Sequence, residues 1–211
     1  MLEVRGLQCE RDSRPLFSNL SFSLGAGQLL HIEGANGCGK STLLRALAGL
    51  LSATAGSLLW RGQPLAAVDS DYRAALCFIG HKAGLKSELS PLANLRHLQS
   101  LAATPVADER LLQVLAGVGL AGHEQLPVAR LSAGQQRRVA LARLWLTQAP
   151  LWLLDEPFTA LDKKAVAGLC KHFATHLAAG GAIIMASHQE PPHPELAVTR
   201  LPLADYRPVV A

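Results

Sequence analysis

The chain has 211 residues, 49% of them hydrophobic, 17% charged and 5% aromatic, with a formal charge of +4. That is enough apolar material for one sizeable domain and too little charge for a disordered chain. The basic residues are scattered, Arg137 and Arg138 forming the tightest pair, and aromatics are few, so no nucleic-acid stacking surface is expected.

Residues Leu2 to Leu24 alternate in short runs broken by Ser, Arg, Pro and Asn, which suggests an antiparallel edge. The N-terminus is charged and unlike a signal peptide, and no stretch approaches the roughly 18 apolar residues of a spanning helix. Gln28 to Glu33 is a compact strand feeding a glycine-rich turn, and Lys40 to Leu50 then reads as a helix ending near Gly49. Strands follow at Ser57–Trp60 and Ala75–Ile79. From Leu85 to Val128 the pattern turns helical, with Ser90-Pro91 as a start signal and a second helix over Asp108–Leu115. A helix over Ala133–Thr147, a strand at Leu151–Leu154, a helix over Lys163–Ala178 and a strand at Ala182–Ala186 complete the series. Strands alternating with helices predict an α/β fold, a mostly parallel sheet with an N-terminal antiparallel β edge and an inserted helical subdomain. The expected division is a single domain, residues 1–84 and 129–211 as core and about 85–128 as the helical insert.

Gly34-Ala35-Asn36-Gly37-Cys38-Gly39-Lys40-Ser41-Thr42 matches the phosphate-loop pattern G-x-x-x-x-G-K-[ST]. Its glycines let backbone N–H groups turn inward on phosphate oxygens, and the following helix favours negative charge. Lys40 is placed to reach the β- and γ-phosphates of ATP, and the Ser41 hydroxyl to hold Mg²⁺. A bulky adduct on Cys38 is expected to press on the nucleotide, making the loop sensitive to thiol reagents.

Leu151-Trp152-Leu153-Leu154-Asp155-Glu156 is a buried strand running into two carboxylates. By itself it fits an ordinary core strand entering a polar loop. With a phosphate loop upstream, Asp155 suits a Mg²⁺ contact at the C-terminal sheet edge and Glu156 can polarise the attacking water. Leu131-Ser132-Ala133-Gly134-Gln135 opens a helix. Ser132 and Gln135 have capping-box spacing, and a Ser, a Gly and a helix N-terminus equally make a phosphate site.

LSAGQQRRVALARLWL resembles the signature motif of the ABC ATPases and precedes the acidic strand as it does in that family. Thr159-Ala160-Leu161-Asp162 resembles the family's D-loop, and Ser187-His188 its switch histidine. The resemblance spans nearly the whole chain. It implies ATP and Mg²⁺ as cofactors, with Lys40, Glu156 and His188 as the catalytic set. It also implies a second ATPase subunit, because the signature of one chain closes over the nucleotide of the other. Two departures stand out. Arg11 falls where many relatives stack an aromatic ring on adenine, and His81, followed by Lys82, falls where a Q-loop glutamine is usual.

Within the family, the segments CERDSRPLFSNLSF, GHKAGLKSELSPLANL and LLDEPFTALD are most similar to the ATP-binding subunits of bacterial haem exporters. That implies permease subunits of the CcmB and CcmC type, an indirect link to the haem chaperone CcmE, and a peripheral place on the cytoplasmic face of the inner membrane. Four separated cysteines, with no Cys-x-x-Cys-His, predict reduced thiols and no metal or haem site in the chain itself. A P-loop kinase would lack the signature and D-loop, and a DNA- or ribosome-directed relative would carry a second cassette or a long insertion. The ATPase subunit of another small-molecule transporter is the alternative.

Overall fold

A computed structural model describes residues 1–12, 14–100, 106–188 and 196–207. The chain divides into two compact units. The first comprises Met1–His81, Ala149–Pro157 and Lys171–Ala211, and the second Lys82–Gln148 and Phe158–Cys170.

The first unit carries two sheets. Strand β1 (Leu2–Arg11) pairs antiparallel with β2 (Arg14–Leu24), Leu2 opposite Leu24. Leu2 and Val4, then Leu7 and Cys9, are buried at a spacing of two, the period expected of a half-covered strand, with a register shift between Val4 and Leu7. β1 also pairs antiparallel with a later strand over Ala55–Trp60, giving the antiparallel edge expected from the alternation.

The second sheet is parallel. Strand β3 (Leu29–Glu33) leads into helix α1 (Lys40–Leu47). The helix stops three residues earlier than its composition suggests, because Gly49 takes φ +69° and the N–H of Leu50 reaches back to the Arg45 oxygen at 2.9 Å. That is a Schellman closure, which a glycine in the left-handed region permits. Strand β4 (Ala55–Trp60) joins β1, and the two-residue β5 (Gln63–Pro64) closes the antiparallel sheet in the order β2-β1-β4-β5. The short helix α2 (Asp69–Ala74), which the sequence did not announce, anchors through Tyr72: its hydroxyl donates to the Leu47 oxygen at 2.6 Å. Strand β6 (Leu76–Ile79) enters the parallel sheet.

The second unit begins after His81. Helix α3 (Pro91–Gln99) starts where Ser90-Pro91 predicted, the Ser90 hydroxyl accepting from the Ala93 N–H at 3.2 Å. Helix α4 (Asp108–Gly117) follows, and Arg96 of α3 grips Asp108 with a two-pronged ion pair, Nε to Oδ1 at 2.7 Å. Residues 101–105 of the expected helical stretch lie outside the described residues. Helix α5 (Ala133–Leu141) passes into a 3₁₀ turn over Ala142–Trp145 rather than running on to Thr147. Pro150 lies just ahead, and a tightened last turn lets the chain leave before it. Leu92, Leu95, Leu111, Leu115, Leu131 and Val139 form a core of their own. This unit therefore takes in the signature helix and the residues following the acidic strand, in addition to the 85–128 stretch.

Strand β7 (Leu151–Asp155), helix α6 (Lys163–Ala178) and strand β8 (Ala182–Ala186) agree with the sequence reading to within one residue. Every residue of β7 and β8 is buried, as central strands of a parallel sheet require. Strand β9 (Val198–Pro202) completes the order β6-β7-β8-β3-β9. It is an edge strand with Thr199 and Arg200 exposed and a terminal proline, so no apolar run marks it. Leu43, Leu44 and Leu47 of α1 pack with Leu30, Ile32, Leu153 and Ile184 into one core.

Candidate active site

Parallel strands bring their C-terminal ends to one edge, and the phosphate loop, the two carboxylates and His188 follow strands there. In the sheet order β7-β8-β3, the phosphate loop follows β3, Asp155 ends β7 with Glu156 next after it, and Ser187-His188 follow β8. His81 stands exposed two residues beyond β6 at the same edge.

The phosphate loop is shaped by its glycines. Gly39 takes φ +109°, and a Cβ there would stand 3.2 Å from Leu16 and Phe17 of β2. Gly34 takes φ +152° with the Cys38 sulfur 2.5 Å from where a Cβ would lie. Ala35, Asn36, Gly37 and Ser41 are exposed around the turn, and Thr42 is half-buried at the first turn of α1. Lys40 is only 7% exposed, and its ammonium donates to the Gly34 and Ala35 oxygens at 2.6 and 3.2 Å. The lysine is thus curled over the loop.

Cys38 corrects the expectation of thiol sensitivity. It is 5% exposed and packed beneath Gly34, so reagents reach it only when the loop opens. All four cysteines are buried, and burial pushes the Cys170 thiol up to about 11. N-ethylmaleimide should label Cys38 in the folded chain at least about 100-fold more slowly than in urea. Peptide mass spectrometry over time measures this, and labelling at equal rates would show a loop open in solution.

Asp155 is a carboxylate only 4% exposed at the end of β7. A buried carboxylate on one loop and the Ser41 hydroxyl on another supply the hard oxygens that a Mg²⁺ ion prefers, so the residues fit that ion. Glu156 next to it takes φ +50°, in the left-handed region that glycine favours. Its backbone N–H donates to the Ala186 oxygen at 2.7 Å. Its carboxylate faces the switch: Oε2 accepts from the His188 backbone N–H at 3.4 Å, and Oε1 lies 3.3 Å from His188 Nε2. The two residues, 32 apart in sequence, form one unit of a carboxylate and an imidazole.

Arg11 sits at the end of the β1–β2 hairpin opposite Arg14, 76% exposed along its side chain, with Asp12 at 3.7 Å.

The signature residues lie in the second unit. Ser132 caps α5, its hydroxyl accepting from the Gln135 N–H at 3.2 Å while Gln135 Oε1 accepts from the Ser132 N–H at 2.9 Å. The capping box is therefore real, and it leaves Ser132 and Ala133 exposed at the helix start. Leu131 is buried in the core behind them. Gly134 approaches the D-loop so closely that a Cβ would stand 2.5 Å from the Ala160 oxygen. Asp162 caps α6, accepting from the Ala165 N–H at 2.8 Å, and pairs with Arg138 of the signature helix. The Ala165 N–H and then the Arg138 guanidinium hold its carboxyl below the usual range. Arg138 was missed in the sequence, where it was one of a pair of scattered cations. The signal was present in retrospect, because it lies on the helix that opens with the signature.

The fold and the phosphate-loop edge define a nucleotide-hydrolysing cassette, and the comparisons with known proteins identify it. A family model described as "ABC transporter" matches residues 17–159, and the chain belongs to that family. As an ABC ATPase it binds and hydrolyses ATP. It is similar to the cytochrome c biogenesis ATP-binding export protein CcmA of Escherichia coli O157:H7, 51% identical over 209 residues and 99% of each chain. Among solved structures it superposes on a Pyrococcus furiosus protein described as an ABC transporter ATP-binding protein. There the TM-score is 0.83 at 25% identity, over 98% of this chain and 99% of that one. It also superposes, with TM-score 0.78 at 22% identity, on a dimeric ATP-binding cassette bound to ADP and phosphate, over 90% and 88% of the two chains. Among the described residues no helix is long and apolar enough to cross a membrane.

Proposed function

We propose that this chain is the ATP-hydrolysing subunit of a membrane complex that exports haem or releases a haem-loaded chaperone during c-type cytochrome maturation. The observation that carries the hydrolytic part is the Glu156–His188 unit at the strand edge that also bears the phosphate loop. The phosphate loop and Lys40 would hold the β- and γ-phosphates, and Ser41 and Asp155 would hold Mg²⁺, which would supply positive charge against the phosphate oxygens. Glu156 accepts a proton from the attacking water while His188 orients the carboxylate and meets the γ-phosphate. Water adds to phosphorus, the bond to the ADP oxygen breaks, and ADP and phosphate leave.

Each chain has one phosphate loop and one signature, so a complete site needs Leu131–Gln135 from a second copy. The dimeric cassette with ADP and phosphate supports that reading. Asp162, tied to both α5 and α6, serves at the D-loop between the two sites. Arg11 is the candidate to lie against adenine, and His81 to relay the nucleotide state to membrane partners. Those partners are permease subunits of the CcmB and CcmC type, with CcmE as the indirect client, and no nucleic acid is involved. The chain sits peripherally on the cytoplasmic face of the inner membrane. The likeness to CcmA over nearly the whole chain supports the haem assignment over another small-molecule transporter.

Deleting the gene in its host should leave c-type cytochromes unmatured, with haem accumulating on the chaperone. A Lys40→Ala allele should reproduce the defect at normal protein abundance. Haem staining of membrane proteins reads both. Normal c-type cytochromes in the deletion strain, with no second copy present, would sink the haem assignment and leave the other transporter in its place.

A further inference from the structure

His31 sits in the middle of β3, 3% exposed, among Leu29, Leu30 and Ile32. An apolar residue would suit that strand better, since burying an imidazole gives up its hydration. Its Nε2 lies 2.8 Å from the backbone oxygen of Ser187. A carbonyl oxygen only accepts, so Nε2 carries the proton and the ring is fixed in that tautomer at this nitrogen. On its other side Nδ1 faces Glu33 Oε1 at 3.6 Å, and Glu33 is 3.5 Å from Arg200 Nε on β9.

Ser187 immediately precedes His188. Its neighbour Ala186 accepts from the Glu156 N–H at 2.7 Å. In the strand order β7-β8-β3 the two successive carbonyls are therefore held from opposite flanks, residue 186 by the backbone leaving β7 and residue 187 by the imidazole of β3. With both fixed, the direction in which the chain presents His188 to Glu156 is fixed too. The imidazole also belongs to the strand that runs directly into the phosphate loop, three residues before Gly34.

We propose that His31 is a positioning residue: it ties the strand feeding the phosphate loop to the switch segment and so sets His188 against Glu156. This rests on the reading that Glu156 and His188 act in hydrolysis. The arrangement is a buried hydrogen bond whose partner is a main-chain carbonyl, so its effect is on geometry and not on the nucleotide itself.

The test uses the full chain purified with its membrane partners. His31→Met keeps bulk and removes the donor, while His31→Gln keeps an N–H at similar reach. His31→Met should lower kcat by about tenfold, the effect of losing one buried hydrogen bond. The KM for MgATP should stay within about twofold, since ground-state binding is untouched. His31→Gln should recover kcat to within about threefold of wild type. In a His188→Ala background, His31→Met should add no further loss, because the group it positions is gone. A merely structural histidine would multiply its loss in both backgrounds, and that result overturns the proposal, as does wild-type kcat in His31→Met. If the Met variant fails to fold, His31→Gln decides alone: recovery supports the positioning role, and a folded Gln variant as slow as His188→Ala refutes it. Should Glu156→Gln and His188→Ala both turn over at the wild-type rate, the reading of the site has failed instead.

Discussion

Glu156→Gln is expected to bind MgATP with near wild-type affinity and to hydrolyse it slower by a factor on the order of 10²–10⁴, the range for removing a general base. The amide matches the carboxylate in size and can still accept from the His188 backbone N–H, which lies 3.4 Å from Oε2. Packing around a side chain that is 16% exposed should therefore survive. What disappears is the negative charge proposed to take the proton from water, which also lies 3.3 Å from His188 Nε2. The proposed phosphate contacts lie in the loop after β3, away from Glu156, so affinity should not follow rate. Turnover of the assembled complex, with nucleotide affinity measured alongside by a fluorescent analogue, separates the two. Wild-type turnover in the variant would remove Glu156 from the mechanism.

Gly134→Ala should be nearly as damaging, and for a reason opposite to helix chemistry. Gly134 is the second residue of α5, where alanine would ordinarily stabilise by about 1 kcal/mol. Here the added carbon would stand 2.5 Å from the Ala160 carbonyl oxygen, a backbone atom that cannot swing aside. The D-loop must shift, and with it Asp162, which is bound to both the α6 start and Arg138. A displacement on the ångström scale in a positioning element costs on the order of 100-fold in rate. The variant should fold with a melting temperature close to wild type, and thermal melts run beside ATPase assays show whether stability and activity part company. Equal turnover would mean that the close approach of α5 to the D-loop is incidental.

Most of the candidate site was legible because phosphate chemistry demands particular residues at fixed spacing. The glycines before Lys40 follow from what a phosphate demands of the backbone, the carboxylates after the apolar strand gain meaning only beside that loop, and His188 is marked by the resemblance to the ABC ATPases. The limits of α6 and β8 were readable for a similar reason, since periodic burial and an unbroken apolar run leave little choice. What escaped depends on contacts distant in sequence. β9 is an edge strand whose exposed Thr199 and Arg200 hide it, and α2 is held by one hydroxyl on the Leu47 carbonyl. The buried face of Cys38 could not be inferred from a loop pattern that records only which backbone atoms turn inward. His31 looked like one of eight histidines, and only the fold shows that its ring meets a carbonyl 156 residues away.

The left-handed backbone at Glu156 has an evolutionary side. Four other described non-glycine residues share positive φ: Asp12, Asn19, Arg61 and Ala160. Asp12 and Asn19 are types that tolerate it, whereas glutamate gains nothing from that region and gives up about 1–2 kcal/mol against glycine. Pressure toward a more durable fold and pressure toward a faster enzyme therefore pull on codon 156 in opposite directions. Selection for stability alone would favour glycine at this position, so a glutamate kept there is the mark of selection for turnover.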